Sequence, residues 1–269
     1  MSNYYNCSGV DTHMHTIGSG HAFNTYKEMV DEACRKRLDV ICITEHGCVV
    51  PESMGASYIR NMRVITRDTY PHMIGNVIQS HGKLKVIHGY EANILNAKGD
   101  TDFELLGHPR MHLKYVIGSI HTAVYADSVS DPVHEFTNAY INTCKHPYIM
   151  ALGHIDDDNV PCNFEAVIKA AKENNVLIEA NNSSLTPESW RKNSEKNMLE
   201  YLALCKELEA TIVLGSDAHW ADDIGRFNEV KRVLSRVDFP EELIINRDKD
   251  IFLKWLDDKI KVRDEVMTT

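Results

Sequence analysis

The sequence lacks the features of a membrane or secreted protein. No stretch approaches the roughly 18 consecutive apolar residues of a membrane-spanning helix. The N-terminus MSNYYNCSGVDTH has no charged segment followed by an apolar one, as a signal peptide would. We therefore expect a mature, soluble chain with no membrane partner. No Pro/Gly/Ser-rich linker or short repeat divides the 269 residues, which favours one domain over residues 1–269.

Basic residues are outnumbered by acidic ones, and the cysteines show no spacing typical of disulfide or metal motifs. The chain has 29 Lys and Arg against 39 Asp and Glu, a net charge of -10. Surfaces that bind nucleic acid rely on clustered Lys and Arg, so we expect no nucleic-acid partner. The seven cysteines are odd in number and have no CxxC spacing, which favours free thiols in a reducing cytoplasm. Nothing in the sequence indicates an oligomeric state.

Two common catalytic motifs are absent. The chain contains neither the G-x-S-x-G motif of serine hydrolases nor a P-loop, which weakens the interpretations as a serine hydrolase or a kinase.

Seven short apolar, β-branched runs alternate with helical segments. The runs cover residues 8–13, 38–46, 84–93, 115–121, 148–154, 176–182 and 211–217. This alternation predicts repeated β/α units around a parallel sheet. Thr25 and Glu28 form a capping-box signature for the first helix, and residues 55–80 predict one or two more. Helices opening at Pro240 and Asp248 are expected to seal the barrel.

Almost every apolar run ends in histidine or a carboxylate. These residues are Asp11, His13, His15, Glu45, His46, Glu91, His121, His154, Asp217 and His219. The carboxyl ends of parallel barrel strands meet at one mouth, so these side chains should converge. A single histidine at a strand end is more often structural than a ligand, and the ordered set carries the inference. The histidines outside the pattern are interpreted as structural: His72, His81, His88, His108, His112, His134 and His146.

The residue types favour metal binding. Imidazole and carboxylate are the usual ligands of Zn, Mn and Fe, and residues two apart on a strand, such as His13 and His15, face the same way. With His21 from the DTHMHTIGSGHAF stretch, the set exceeds what one ion can use. Two or three ions are therefore expected, and their identity stays open.

The ordered motifs resemble the PHP (polymerase and histidinol phosphatase) family of metal-dependent phosphoesterases. DTHMHT, His21, ITEHG, YEANI, SIH, His154 and GSDAH carry the likeness from Asp11 to His219, and EANILNAKGDTD and IEANNSS are similar to stand-alone bacterial phosphatases. The resemblance implies an α/β fold, a distorted (β/α)7 TIM-like barrel with three divalent ions at the C-terminal strand ends. It places His13, His15, Glu91 and Asp217 around the first ion. Glu91 would bridge to a second ion held by His121 and His154, and His21, His46 and His219 would hold the third.

Two positions depart from the family pattern. Glu45-His46-Gly47 stands where relatives often have Asp-His-Gly, and GHIDDDN replaces a His-Pro-Gly type motif at the fifth strand. We interpret Asp156, Asp157 and Asp158 as a solvated acidic loop rather than as metal or substrate ligands.

The resemblance implies a phosphatase that hydrolyses a small phosphomonoester with a metal-bridging hydroxide. The metal ligands, with Glu91, Asp217 and His219 as catalytic residues, would form the core machinery. Arg191 is the first candidate for a bidentate phosphate contact, followed by Asn182 and Ser183. The general acid stays unassigned, and the substrate stays open among histidinol phosphate, nucleotide or sugar phosphates and small phosphodiesters.

Two alternatives remain. An amidohydrolase-type enzyme that cleaves C–N bonds also begins with HxH on a barrel strand, although here no Lys ends the fourth run. A non-catalytic PHP-like metal-binding domain would have lost ligands, and none is lost.

Overall fold

The computed structural model of the protein describes residues 9–62, 84–107, 112–125 and 129–268. Seven strands form one sheet in chain order, and each pairs in parallel with the next. They are β1 (Val10–Asp11), β2 (Val40–His46), β3 (Lys85–Asn93), β4 (Tyr115–Ser119), β5 (Ala151–Leu152), β6 (Leu177–Asn181) and β7 (Ile212–Gly215). All seven predicted runs contain a strand, although β1 and β5 are only two residues long.

The first and last strands meet and nearly close the sheet into a barrel. The backbone nitrogen of Asp217 donates to the carbonyl oxygen of His13 at 2.9 Å, just beyond the ends of β7 and β1. Nearer the amino-terminal ends of β1 and β7, the side chain of Asn246 bridges the two strands in place of backbone hydrogen bonds. Its Nδ2 donates to the carbonyl oxygens of Val10 and Leu214, and its Oδ1 accepts from the nitrogen of Leu214. The predicted distorted (β/α)7 TIM-like barrel is confirmed.

Helices cover the outside of the barrel. They are α1 (Tyr26–Arg35), α2 (Gly55–Asn61), α3 (Pro132–Thr143), α4 (Phe164–Glu173), α5 (Ser194–Glu207), α6 (Asn228–Arg236) and α7 (Lys249–Thr268). Both hydrogen bonds of the predicted capping box at Thr25 and Glu28 are present. None of the described helices is long and apolar enough to cross a bilayer.

Some predicted helix bounds differ from the structure. The alternation of runs and helical segments gives no start for α3, which begins at Pro132 because Asp131 caps it by accepting from the nitrogen of His134. The segment opening at Pro240 forms two short 3-10 turns, Glu241–Leu243 and Ile245–Arg247, rather than an α-helix. Of the helices predicted within 55–80, the part over residues 63–80 lies outside the described residues.

The inward face of the barrel changes from apolar to polar along each strand. On β2, Val40, Cys42 and His46 share one face, because side chains alternate with a period of two. Val40 and Cys42 belong to a buried cluster with Phe252 and Leu256 of α7. The last helix therefore seals the amino-terminal end, as predicted, and the polar residues meet at the opposite end.

Candidate active site

Four ligand-type side chains meet where β1, β3 and β7 end. Nε2 of His15 lies 3.0 Å from Nε2 of His13 and 3.1 Å from Oδ1 of Asp217. Oε2 of Glu91 lies 3.6 Å from both imidazole nitrogens. All four residues are buried. These atoms could hold one ion, and they are the four residues that the resemblance assigns to the first ion.

Glu91 also faces a second pair of imidazoles. Its Oε1 lies 2.9 Å from Nε2 of His154 and 3.6 Å from Nε2 of His121. One carboxylate therefore turns its two oxygens toward two different groups of nitrogens, which is the arrangement of a bridging ligand.

Three further imidazoles form a third group at the mouth. Nε2 of His21 lies 3.1 Å from Nε2 of His46 and 3.0 Å from Nε2 of His219, and the last two are 3.4 Å apart. His15 approaches this group as well, since its ligand atom and those of His46 and His219 all lie within 4.8 Å of one another. Its shorter contacts with His13 and Asp217 assign it to the first group.

The chemistry of these donors fits bound cations. Burial and the neighbouring charges of His46 and His219 lower the pKa of His21 to about 4, so this imidazole is neutral at pH 7. A neutral imidazole has one N–H, so three Nε2 atoms that meet at 3.0–3.4 Å cannot all pair through N–H···N bonds, and a cation between them would accept their electron pairs. Burial alone would lower the pKa of His13, but the carboxylates of Glu179, Asp217 and Glu91 raise it well above its usual value. The site therefore stabilises positive charge beside this ring.

The carboxylate of Glu91 is also suited to bind a cation. Burial would raise the pKa of Glu91, but the imidazoles of His13, His121 and His46 outweigh it and hold the pKa well below its usual value. Oε2 of Glu91 is buried and makes no well-aligned hydrogen bond among the described residues, although Nδ1 of His46 lies 2.7 Å from it. A buried, ionised oxygen without a well-aligned donor is costly, and a bound cation would satisfy it.

Two ligand positions have strained backbone. His154 has φ of 32° and Asp217 has φ of 54°, a region that residues other than glycine rarely adopt. Such strain concentrates at functional sites, where the surrounding structure over-determines the conformation. Here it turns both side chains toward the centre of the barrel mouth.

A cavity of about 940 Å³ opens above these groups. Its wall includes His21, His46, His121, Asp217, His219 and Arg191, together with the segment 182–183 and residues 186–191 that follow β6. Five of the nine ligand-type side chains thus lie where a bound substrate would reach them.

Known proteins share this sequence and fold. The PHP domain family matches residues 11–185. The chain belongs to the PHP family. A probable phosphatase of Clostridium botulinum (strain Hall) is 39% identical over 258 residues, which covers 95% of this chain and 97% of the relative. A probable phosphatase of Caldicellulosiruptor saccharolyticus is 38% identical over 247 residues, 92% and 95% of the two chains.

A solved structure shows the same fold at lower identity. The histidinol phosphate phosphatase of Lactococcus lactis, complexed with zinc, L-histidinol and phosphate, has a TM-score of 0.58 and 18% identity over 87% of this chain and 95% of that one. The recognition from sequence is confirmed: the chain is a PHP-family phosphatase, a phosphoric monoester hydrolase.

In this PHP-family chain, the second ring nitrogens of His15, His121 and His219 are also partnered. Nδ1 of His121 lies 2.7 Å from Oδ1 of Asn93, and Nδ1 of His219 lies 3.0 Å from the carbonyl oxygen of Asp217. Nδ1 of His15 lies 3.0 Å from Oγ of Ser19, which donates its own proton to Glu45. Histidines that bind metal commonly donate their second N–H in this way, which fixes the ring and leaves Nε2 for the ion.

The predicted substrate residues differ in their surroundings. Arg191 lies in the cavity wall, with Nη2 3.0 Å from Oδ2 of Asp217 and Nη1 3.1 Å from Oγ of Ser184. Ser183 also lines the cavity. Asn182 lines it too, but its Oδ1 accepts from the backbone nitrogens of Glu229 and Val230 and so caps the start of α6.

The interpretation of residues 156–158 as a solvated loop is wrong for two of its three members. Asp156 and Asp157 are buried, and only Asp158 is exposed. Oδ1 of Asp157 accepts from the nitrogens of Asn159 and Lys192, so it ties this loop to the segment that carries Arg191. The Asp157 carboxylate compensates backbone donors that sequence alone does not reveal.

The histidines outside the pattern stay away from the three groups wherever they are described. His88 packs on Tyr26 of α1, with Nε2 3.2 Å from the phenolic oxygen. Nε2 of His146 donates to the carbonyl oxygen of Gly99, and His134 contacts Asn138 on the surface of α3. His112 lies near enough for its charge to act on His88. His72, His81 and His108 lie outside the described residues.

Sequence reasoning missed Glu179, the residue beneath the first two groups. It lies on β6, the one run without a predicted ligand, and it is 1% exposed. The signal was present in the stretch IEANN, where Glu179 faces inward two residues before the strand ends. The pattern did include Asp11 and Glu45. Their carboxylates accept hydrogen bonds from the backbone nitrogens of Ser216 and Thr16, respectively, and do not belong to the three groups.

Proposed function

We propose that this chain hydrolyses a small phosphomonoester at a site of three divalent ions, Zn, Mn or Fe. The observation that carries the proposal is that nine side chains fall into three groups in which each ligand atom lies within 3.6 Å of at least one other, with Glu91 between two of the groups. When bound, such ions make a nucleophile from water near neutral pH and neutralise charge on phosphoryl oxygens.

The chain's own residues would then position the ester. Arg191 has a planar guanidinium that can meet two phosphoryl oxygens, and its bond to Asp217 fixes it beside the first group. Asp217 uses Oδ1 toward His15 and Oδ2 toward Arg191, so that one carboxylate couples the metal group to the phosphate donor. Glu91, Asp217 and His219 are proposed as the catalytic residues on this basis, and Ser183 and Asn182 as cavity-wall contacts.

We also propose that residues 1–269 form one domain that works in a reducing cytoplasm on a small phosphorylated metabolite. The free thiols of the six described cysteines support the reducing compartment: Cys34, Cys42, Cys48, Cys144, Cys162 and Cys205.

Metal analysis combined with a phosphate-release assay tests the proposal. The purified chain, loaded with Zn, Mn or Fe, should contain about three ions by elemental analysis and should release phosphate from p-nitrophenyl phosphate. A chelator should abolish release, and re-addition of metal should restore it. Fewer than two ions per chain would contradict the trinuclear site. Three bound ions without phosphate release from any phosphomonoester would contradict the reaction.

A further inference from the structure

Three large aromatic side chains line the cavity and remain exposed to solvent. Phe23 is 72% exposed, Trp190 is 64% exposed and Trp220 is 49% exposed. The ring of Phe23 meets the ring of Trp220 edge to face, with centroids 6.1 Å apart. The whole chain has only three tryptophans, and two of them stand at this mouth. Clustered exposed apolar rings are uncommon on protein surfaces and mark binding sites.

Each ring is tied closely to a group that would hold the phosphate. Phe23 follows His21 by two residues, and its backbone nitrogen donates to the carbonyl oxygen of His219 at 3.0 Å. Trp220 is the next residue after His219. Trp190 directly precedes Arg191, and its ring lies 5.7 Å from the guanidinium carbon. The rings therefore border the place where the rest of a bound phosphoester would lie.

The cavity is larger than a phosphoryl group requires. About 940 Å³ is at the upper end of the range for cavities that enclose a whole drug-sized ligand. The substrate can accordingly extend well past its phosphate, and the part that extends meets aromatic carbon.

The charges of the wall limit what that part can carry. Among the described residues that line the cavity, the Lys and Arg side chains are Arg191 and Arg226. Arg191 pairs with Asp217, and Nη1 of Arg226 lies 2.9 Å from Oδ1 of Asp223. Glu52 and Glu188 add negative charge to the same wall. A second phosphate on the substrate would meet carboxylates there rather than a free cation.

We propose that the leaving group of the substrate carries a flat, uncharged ring that packs on Phe23, Trp190 and Trp220, as the base of a nucleoside 5′-monophosphate would. The inference rests on the proposed function and names the substrate class of that site. Aromatic side chains hold bases by stacking, and loss of one such ring commonly weakens binding by about 5-fold to 150-fold.

A matched pair of substrates isolates the ring. Adenosine 5′-monophosphate and ribose 5-phosphate carry the same ester on the same sugar carbon, and only the former has a base. We expect kcat/KM to be at least about 10-fold higher for the nucleotide. Adenosine 3′,5′-bisphosphate, which keeps the base but adds charge, should be hydrolysed less efficiently than the monophosphate.

Substitutions at the rim then locate the effect. Trp190→Ala and Phe23→Ala should each lower kcat/KM about 10-fold more for the nucleotide than for ribose 5-phosphate, and Trp190→Phe should retain most of the preference. Val262→Ala changes another exposed apolar side chain, on α7 at the other end of the barrel, and should leave kcat/KM for both substrates unchanged.

The outcomes separate this inference from the proposed function. Equal kcat/KM for adenosine 5′-monophosphate and ribose 5-phosphate would overturn the proposed substrate class but not the proposed hydrolysis. An equal fall in kcat/KM for both substrates in the Phe23 and Trp190 variants would do the same. Release of phosphate from neither compound, nor from p-nitrophenyl phosphate, overturns the proposed function itself.

Discussion

Glu179 on β6 and His13, two residues beyond the end of β1, are joined across the barrel, with Oε1 of the carboxylate 2.6 Å from Nδ1 of the imidazole. The other oxygen, Oε2, accepts from the backbone nitrogen of His154 at 3.0 Å. One buried carboxylate thus positions a ligand of the first group and a ligand of the second. Gly215 makes this possible, because a Cβ there would lie 2.2 Å from Oε1 of Glu179.

Replacement of this carboxylate should weaken metal binding without removing any ligand. Glu179→Gln keeps the size of the side chain, but its single oxygen cannot accept from both His13 and His154. Loss of such a partner typically lowers metal affinity about 10-fold to 100-fold. Titration of the metal-loaded protein with a chelator measures the change. Glu165→Gln, on the exposed face of α4, is the matched control and should bind metal like the wild type. Unchanged affinity in the Glu179 variant would show that the contact does not position the ligands.

The loop that carries His21 should be separable from the first group. His21→Ala removes one of three nitrogens that meet at 3.0–3.4 Å, whereas His13, His15 and Asp217 keep their own contacts. We expect elemental analysis to show about one ion fewer per chain, because a site of three imidazoles retains little affinity with two. His134→Ala, on the exposed surface of α3, should leave the metal content unchanged. Loss of every ion in the His21 variant would contradict the division into separate groups.

The sequence predicts the barrel well because the same pattern, an apolar run that ends in polar residues, recurs at almost every strand. Polar residues end the runs on the inward face, so periodicity and the convergence of parallel strands suffice to bring His46 near Glu91. It predicts poorly what depends on a partner far along the chain. The role of Glu179 depends on His13, 166 residues away, and the buried carboxylate of Asp157 accepts from the backbone nitrogen of Lys192, 35 residues away. No local pattern encodes those pairs.

The pH dependence of the free energy of unfolding should show the contribution of His88, which lies outside the candidate active site. Burial, with the nearby charge of His112, lowers the pKa of His88 from 6.5 to about 4. Between these values the unfolded chain takes up a proton that the folded chain does not. Stability from the neutral imidazole is therefore complete above pH 6.5 and is lost as the pH falls toward 4, by at most about 3 kcal/mol.

Comparison with a non-titrating variant isolates this contribution. His88→Gln can still contact the phenol of Tyr26, and we expect its free energy of unfolding in urea to fall less steeply than that of the wild type from pH 6.5 to pH 4.5. His134→Gln makes the same change at an exposed position and should keep the wild-type slope. Parallel curves for wild type and the His88 variant would contradict a lowered pKa at this residue.

Arg191 provides the sharpest test of how the phosphate is held. Its side chain is 8% exposed, and Nη2 contacts Oδ2 of Asp217 while Nη1 contacts Ser184. Arg191→Lys keeps the positive charge but cannot contact Asp217 and two phosphoryl oxygens at once. We expect KM for p-nitrophenyl phosphate to rise about 10-fold or more, since a charge-assisted hydrogen bond is worth about 1.5–3 kcal/mol.

A purely structural role for this arginine predicts a different pattern. If Arg191 only orients Asp217, the lysine variant can keep that ion pair, and KM should then stay near the wild-type value while metal affinity changes little. Arg226→Lys, at the rim and paired with Asp223, is the matched control and should leave KM unchanged for this small substrate. Inorganic phosphate as a product inhibitor gives a second readout, because its inhibition constant should rise in parallel with KM only when the guanidinium itself contacts the phosphate.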